Sequence, residues 1–260
     1  MGSTGTEAAR NVADVVLEDD NLRTMIIAVS EGRTIYNNIR KSVHFLTATN
    51  LSEIMVMLGS VAAGLGTPLS TIQLLWINLM SDISPALALA VEPPEPDVLR
   101  RPPRDPGEPI VDLADFKRYG LESFTMTAGA MASYGHAMAR YGGGPQAGTV
   151  AFMTLTMAQL LHAYSCRSDR HSMFGHEPLH PNRYLNLAIG GTAALQFATV
   201  AVPGLRSLLG TTLVGPLDMA VIGAGSVLPF LINEATKNAA FESKRLKGLI
   251  SPPATQRESG

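Results

Sequence analysis

Long apolar runs separated by short polar stretches dominate the chain. Six of them, residues 43–65, 72–91, 119–139, 148–164, 185–202 and 214–232, come close to the ~20 predominantly apolar residues that a bilayer-crossing helix needs, so the pattern predicts six transmembrane helices. The fourth and fifth runs are short and the third carries Glu122 and His136; soluble core helices are the alternative reading of such runs. Ahead of the first run, residues 22–42 contain no helix breaker except Gly32, which costs about 1 kcal/mol relative to alanine, so the helix is expected to continue through 22–65. One continuous helix is predicted there, with Asp20 or Asn21 as its cap. At ~1.5 Å per residue it would be roughly 66 Å long, and its first half, residues 22–42, would stand outside the bilayer as a stalk. Residues 7–11 predict a short helix and residues 13–17 a buried strand, too short to bury both faces without neighbours. The connection 92–109 holds seven prolines in eighteen residues and predicts an extended, non-helical path along the membrane surface. Residues 66–71, with Pro68 near their centre, predict a tight hairpin between the first two runs.

Polar side chains inside the first two runs change this picture from architecture to chemistry. Asn50 and Glu53 interrupt the first run; Asn78, Ser81 and Asp82 interrupt the second. A carboxylate at the bilayer centre costs about 2.5–3.5 kcal/mol on insertion scales, so such residues mark ion or substrate paths. Asn50 and Glu53 are three apart, and Asn78, Ser81 and Asp82 are spaced at three and four, so each set shares one helix face. All five donate oxygen, which suits a hard cation such as Ca²⁺. These runs lack cysteine, which argues against a soft-metal site among them. Pro85 removes a helix hydrogen bond close by, and backbone carbonyls released at membrane depth are tolerated beside a cavity or an ion. Hydrogen bonding between helices is the alternative role for all five. Gln159 in the fourth run reads either as such a hydrogen bond or as a further ligand. His162 and Cys166 read as structural, and Glu122 and Asp218 as residues near helix ends that interfacial water solvates.

Charge placement sets the expected orientation. Eighteen of the twenty Lys and Arg residues fall before the first run, between the second and third, between the fourth and fifth, or after the sixth; only Arg140 and Arg206 fall on the other side. By the positive-inside rule both ends are cytoplasmic, which requires an even number of spans. The predicted location is an integral position in the plasma (inner) membrane, with the lipid bilayer as partner. A net charge of −2 gives no sign of nucleic-acid binding, and the single cysteine, Cys166, excludes an internal disulfide. No cleavable signal sequence is visible in the polar first twenty residues.

Three strings then carry a family resemblance. MGSTGTEAARNVADVVLEDDNLRTMIIAVSEGRTIYNNIRK resembles the stretch that follows the hinge motif in the phosphorylation domain of P-type cation-transporting ATPases. TNLSE followed by LLWINLMSDISPALALAVEPPE resembles the fifth and sixth membrane helices of the calcium-pump branch, and FMTLTMAQLLHAYSCRSDRHSMF resembles the eighth. The resemblance implies an all-α membrane protein with six transmembrane helices and a long stalk helix. It implies four parts: a small remnant of the α/β phosphorylation domain over residues 1–21, the stalk over 22–42, the membrane domain over 43–236 and a cytoplasmic tail over 237–260. It places the family's ion ligands on Asn50, Glu53, Asn78, Ser81 and Asp82, with Gln159 as an additional candidate. Two-site calcium pumps carry an acid at that last position, and an amide there resembles pumps that move a single ion. Ser81 stands for the usual threonine and keeps the hydroxyl. Ile83 stands where a glycine is common, which makes unwinding of the second span less assured.

The implied function is the membrane part of an ATP-driven cation pump, with Ca²⁺ or Mn²⁺ as the transported ion. DKTGT, TGE and GDGxND, the motifs of phosphorylation, dephosphorylation and magnesium binding, do not occur in the sequence. The resemblance therefore implies no catalytic residue here. ATP and Mg²⁺ would act only through a head, and the first four helices and that head would come from a second polypeptide. The rival expectations are a truncated non-catalytic membrane module that binds cations or associates with an intact pump, and the translated remnant of an interrupted reading frame.

Overall fold

The computed structural model describes residues 6–19, 21–100, 103, 107, 109–168 and 179–250, with the backbone alone for residues 9 and 238–250. Asp20, Arg101, Arg104, Arg170, Arg257 and the last ten residues of the expected tail lie outside the described residues. Lys244, Arg245 and Lys247 are described in backbone only.

The chain is all-helical, with no strand among the described residues. α1 (Glu7–Asn11) forms as expected. The strand expected at 13–17 does not form: these residues run unpaired, because nothing lies beside them to complete a ladder. α2 (Leu22–Ala62) starts at Asn21, whose side chain accepts a hydrogen bond from the Arg23 amide at 3.0 Å. It ends three residues before the expected limit. Gly64 takes φ +70°, and the amides of Gly64 and Leu65 cap the carbonyls of Val61 and Ser60 at 3.0 Å each.

The second apolar run is not one helix. α3 (Thr71–Trp76) opens on a reciprocal Ser70–Gln73 capping box. A π-helical turn (Ile77–Ser81) follows, then α4 (Ile83–Ala90). The Asp82 amide reaches back five residues to the Ile77 carbonyl at 3.1 Å, while Pro85 has no N–H for the Ser81 carbonyl. α5 (Leu113–Tyr141) and α6 (Pro145–Ser165) are both longer than their apolar runs. α7 (Arg183–Ala201) and α8 (Pro203–Leu209) meet at an 87° bend, at Val202, which is extended because the following proline disfavours α geometry there. α9 (Pro216–Ile250) continues as helix through much of the expected tail.

Three helical stretches are long and apolar enough to cross a membrane: Leu22–Ala62, the broken Thr71–Ala90 and Pro216–Lys237. The bent α7–α8 pair makes a fourth if it is one span. α5 and α6 are not in this set. α5 carries Arg118 and Glu122, and α6 carries Thr149, Thr154, Thr156 and Gln159, all four fully buried inside the protein. The three threonine hydroxyls donate to the carbonyls of Pro145, Val150 and Phe152, one turn earlier.

α5, α6 and α9 pack pairwise, and α2 and α4 lie against them. One core joins Val56, Ile77, Ala130, Phe152, Met153 and Ile222; a second joins Phe45, Leu89, Leu160, Leu185 and Ile189. The α5–α9 crossing is close: a Cβ on Gly129 would sit 2.1 Å from the Gly225 carbonyl oxygen. Contacts also sort by end. The first half of α2 reaches the connection after α4 through Lys41–Glu95 (2.9 Å), Arg33 to the Val98 carbonyl (3.0 Å) and Asn38 to the Glu92 carbonyl (2.7 Å). Arg167 and Asn182 both bind Glu92, at 2.7 and 2.5 Å. Over residues 92–100 that connection turns rather than running extended: Val98 and Arg100 amides close turns onto Glu95 and Asp97; most of 101–108 lies outside the described residues. At the opposite end Tyr134 donates to the Leu65 carbonyl, Gln73 to that of Leu209 and Tyr141 to Asp218.

Candidate functional site

The polar residues of the first two runs meet where α2, the π turn and α6 come together. Glu53, on α2, is 6% exposed. Its Oε2 accepts from the Asn78 amide at 2.8 Å and its Oε1 from the Gln159 amide at 3.3 Å. The same Gln159 nitrogen lies 3.2 Å from the Thr49 carbonyl and 3.3 Å from the Ser52 hydroxyl. Asp82 is 2% exposed, and its Oδ2 accepts from the Thr49 hydroxyl at 3.2 Å. An unbroken polar chain thus runs Asp82–Thr49–Gln159–Glu53–Asn78.

Three oxygens in this cluster are buried without a hydrogen-bond partner: Asp82 Oδ1, Ser81 Oγ and Gln159 Oε1. An orphaned buried acceptor costs about 1–3 kcal/mol, and three together, two of them side by side in sequence, form a set that a cation can satisfy. The π turn contributes to this. Widening the backbone at Ile77–Ser81 puts Ser81 and Asp82 inward, while the Ser81 carbonyl faces a proline. Distortion at this point therefore comes from the π turn and Pro85, without the glycine that the family has two residues earlier than Pro85.

Of the six expected site residues, the structure joins Glu53, Asn78, Gln159 and Asp82 in one network and buries Ser81 beside Asp82. Asn50 stands apart: it is exposed and its amide donates to the Leu46 carbonyl at 2.8 Å. Thr49 and Ser52 were not among the expected residues. No spacing rule singles out a hydroxyl beside a carboxylate, and only the α2–α6 contact reveals their part.

Glu122 and Asp218 differ from expectation. Neither is solvated: Glu122 is 3% exposed and so is Asp218. Asp218 accepts from the Tyr141 hydroxyl and the Gly215 amide at 2.8 and 2.9 Å. Glu122 sits inside α5, paired with His44 of α2, with Arg118 at 3.0 Å and with His162 of α6 at 3.7 Å. His44, His162 and Tyr141 lie 40 to 78 residues from the acids they meet, beyond the reach of local pattern reading, whereas Arg118 and Gly215 are within four residues.

Residues 66–239 match the family described as Cation transporting ATPase, C-terminus. The chain is 37% identical over 237 residues to a calcium-transporting ATPase of Bacillus subtilis (strain 168), a match covering 89% of this chain and 26% of that protein. It is 34% identical to the probable cation-transporting ATPase F of Mycobacterium tuberculosis (strain ATCC 25618 / H37Rv), over 85% of this chain and 24% of that one. To the mouse calcium-transporting ATPase type 2C member 2 it is 30% identical, over 91% and 25%. The chain spans about a quarter of the length of the curated relatives it matches.

Proposed function

The chain belongs to the family of cation-transporting ATPase carboxyl-terminal regions, and from that premise we propose that it supplies the ion-binding half of a divalent-cation pump, with Ca²⁺ the first candidate cargo and Mn²⁺ the second. The observation that carries this reading is the buried oxygen set: the carboxylates of Glu53 and Asp82 tied through Thr49 and Gln159, with Asp82 Oδ1, Ser81 Oγ and Gln159 Oε1 unsatisfied. Hard cations take six or more oxygens, and Asn78, exposed while bonded to Glu53, marks the edge of the cluster where additional ligands can join. The relatives' names support Ca²⁺ as cargo.

In this reading six spans cross the membrane. α5 and α6 cross despite their polar residues because neighbouring helices, not lipid, face those residues. α7 and α8 form one bent span. Exposed apolar residues around the bundle, among them Leu58, Leu75, Leu87, Phe124, Leu187 and Leu228, form the lipid-facing surface. Both ends of the chain are cytoplasmic, in the plasma membrane, consistent with the basic residues at the end where Lys41, Arg118, Arg167 and Lys237 sit. The first half of α2 is the stalk, residues 1–21 belong to a phosphorylation domain, and Met25, Ile26 and Ile27, all exposed, are free to pack against that domain. The chain's part is to bind the ion and to be moved by the head. Phosphoryl transfer, with ATP and Mg²⁺, belongs to the portion of the relatives outside the matched quarter, and a second polypeptide carrying that portion and the first four helices is the partner.

Co-expression with such a polypeptide tests this. The assembled membrane fraction is expected to hydrolyse ATP on addition of Ca²⁺, and Asp82→Asn to abolish the stimulation while leaving the amount of assembled protein unchanged. Full stimulation with Asp82→Asn overturns the assignment.

A further inference from the structure

Nine residues before Glu53 on α2, roughly 13 Å along the helix at 1.5 Å per residue, a second buried cluster offers different chemistry. We propose that His44, His162, Cys166 and Glu122 form a binding site for a borderline divalent cation of the Zn²⁺ type, separate from the oxygen cluster at Glu53 and Asp82. The donors come from three regions of the fold: His44 from α2, Glu122 from α5, and His162 with Cys166 from the end of α6. Ligand atoms of His44, His162 and Cys166 lie within 4.8 Å of one another. Cys166 Sγ is 3.3 Å from His162 Nε2, and His162 Nε2 is 3.7 Å from Glu122 Oε2, which also meets His44 Nε2.

Two of those separations, Cys166 Sγ to His162 Nε2 and His162 Nε2 to Glu122 Oε2, match what a metal asks for, and an ion would part the direct His44–Glu122 hydrogen bond. Bonds of about 2.0–2.3 Å at tetrahedral angles set ligands about 3.3–3.8 Å apart. Two neutral imidazoles, one thiolate and one carboxylate balance the charge of a divalent ion. The thiolate and imidazoles favour Zn²⁺ and its neighbours and select against Ca²⁺ and Mn²⁺. Outer contacts of the usual kind are already present: Arg118 holds the other Glu122 oxygen at 3.0 Å, and the Tyr119 ring stacks on His44 with centroids 4.2 Å apart. An ion pair between His44 and Glu122 explains two of the four residues. It does not explain why His162, whose Nδ1 is buried with no partner, lies 3.7 Å from the same carboxylate with the Cys166 sulfur beside it. Access is from the basic end, where the Arg118 side chain covering Glu122 is 26% exposed.

The site stands independently of the transport reading; its consequence rests on that reading, since an ion here would tie the stalk helix α2 to α5 and α6 and resist its movement.

Cobalt titration of the purified chain in lipid nanodiscs tests the proposal, with Co²⁺ as a spectroscopic stand-in for Zn²⁺. The expected result is one equivalent of Co²⁺ bound, with tetrahedral d–d absorption and a thiolate-to-metal charge-transfer band, both removed by Zn²⁺ and unaffected by excess Ca²⁺. Cys166→Ser should abolish the charge-transfer band and weaken binding at least tenfold at unchanged helix content, and His162→Ala should weaken it similarly. Asp82→Asn, in the oxygen cluster, should change neither. If His162→Ala fails to fold, Cys166→Ser alone decides. Absence of tetrahedral Co²⁺ in the unaltered chain, or spectra and affinity unchanged in Cys166→Ser, overturns the proposal.

Discussion

Glu53 has both carboxyl oxygens engaged by side-chain amides, whereas Asp82 has one oxygen on Thr49 and the other without a partner. That asymmetry assigns different parts to the two acids: Glu53 is held in place and Asp82 keeps an open coordination position. Thr49 is then the residue that aims Asp82. Thr49→Val, close in shape but with no hydroxyl, should lower Ca²⁺ affinity about tenfold in the assembled pump, the ~1–1.5 kcal/mol of one hydrogen bond, with folding retained; affinity within twofold of wild type would show that Asp82 needs no such support. A second residue-scale prediction concerns Lys41 and Glu95, 2.9 Å apart with side chains only 4% and 5% exposed. Removing one member of a buried pair strands the other charge, at about 3–5 kcal/mol. Lys41→Met should therefore lower the thermal unfolding midpoint clearly, and the double change Lys41→Met with Glu95→Leu should recover part of the loss. Equal midpoints for single and double variants would contradict this. The acids at the membrane centre were legible in the sequence because a carboxylate inside an apolar run stands out by cost alone. Thr49 and Ser52 were not, since a hydroxyl in such a run costs little and draws no notice.

At the scale of elements, the break in the second span is where sequence and backbone meet. Pro85 was a visible sign of a distorted helix, but the form of the distortion, a π turn over Ile77–Ser81, depends on packing against α2 and α6. The helix start at Asn21 was legible, because a short polar side chain accepts the first amides, whereas the capping boxes at Ser70 and Asp112 emerge only in the structure. The lengths of α5 and α6 were read less well: both helices run on beyond their apolar stretches into largely exposed ends, so apolar runs underestimate them. The expected strand at 13–17 shows the opposite error, a local pattern with no neighbour to pair with. One crossing gives a sharp test. On Gly129 a Cβ meets the Gly225 carbonyl oxygen at 2.1 Å and Pro229 Cγ at 2.9 Å, whereas on Gly223, two residues from Gly225 and so on the other side of the same helix, it meets nothing within 4 Å. Small residues let membrane helices approach closely, and overpacking costs about 1–3 kcal/mol. Gly129→Ala should lower the unfolding midpoint in detergent, and Gly223→Ala should leave it unchanged or raise it. A neutral Gly129→Ala would mean that α5 and α9 are not in this close contact.

Across the whole molecule, two buried clusters of unlike chemistry share α2 and α6, oxygen donors around Glu53 and Asp82 and nitrogen and sulfur donors around His44, His162 and Cys166. The oxygen cluster was largely legible from spacing and family resemblance; the second was not, because His44 and Glu122 are 78 residues apart and His162 and Cys166 read as structural on their own. The oxygen cluster is also open on one side, where Asn50 and Asn78 are exposed, which fits a chain matching only a quarter of its relatives' length. Equilibrium binding of radioactive Ca²⁺ to the assembled pump, measured for wild type, Glu53→Gln, Asp82→Asn and Asn50→Ala, addresses the central claim most directly. Glu53→Gln and Asp82→Asn should each lower affinity by at least tenfold, and Asn50→Ala, which lies outside the buried network, by much less. Undiminished Ca²⁺ binding in Glu53→Gln and Asp82→Asn would contradict the claim that these two carboxylates hold the transported ion.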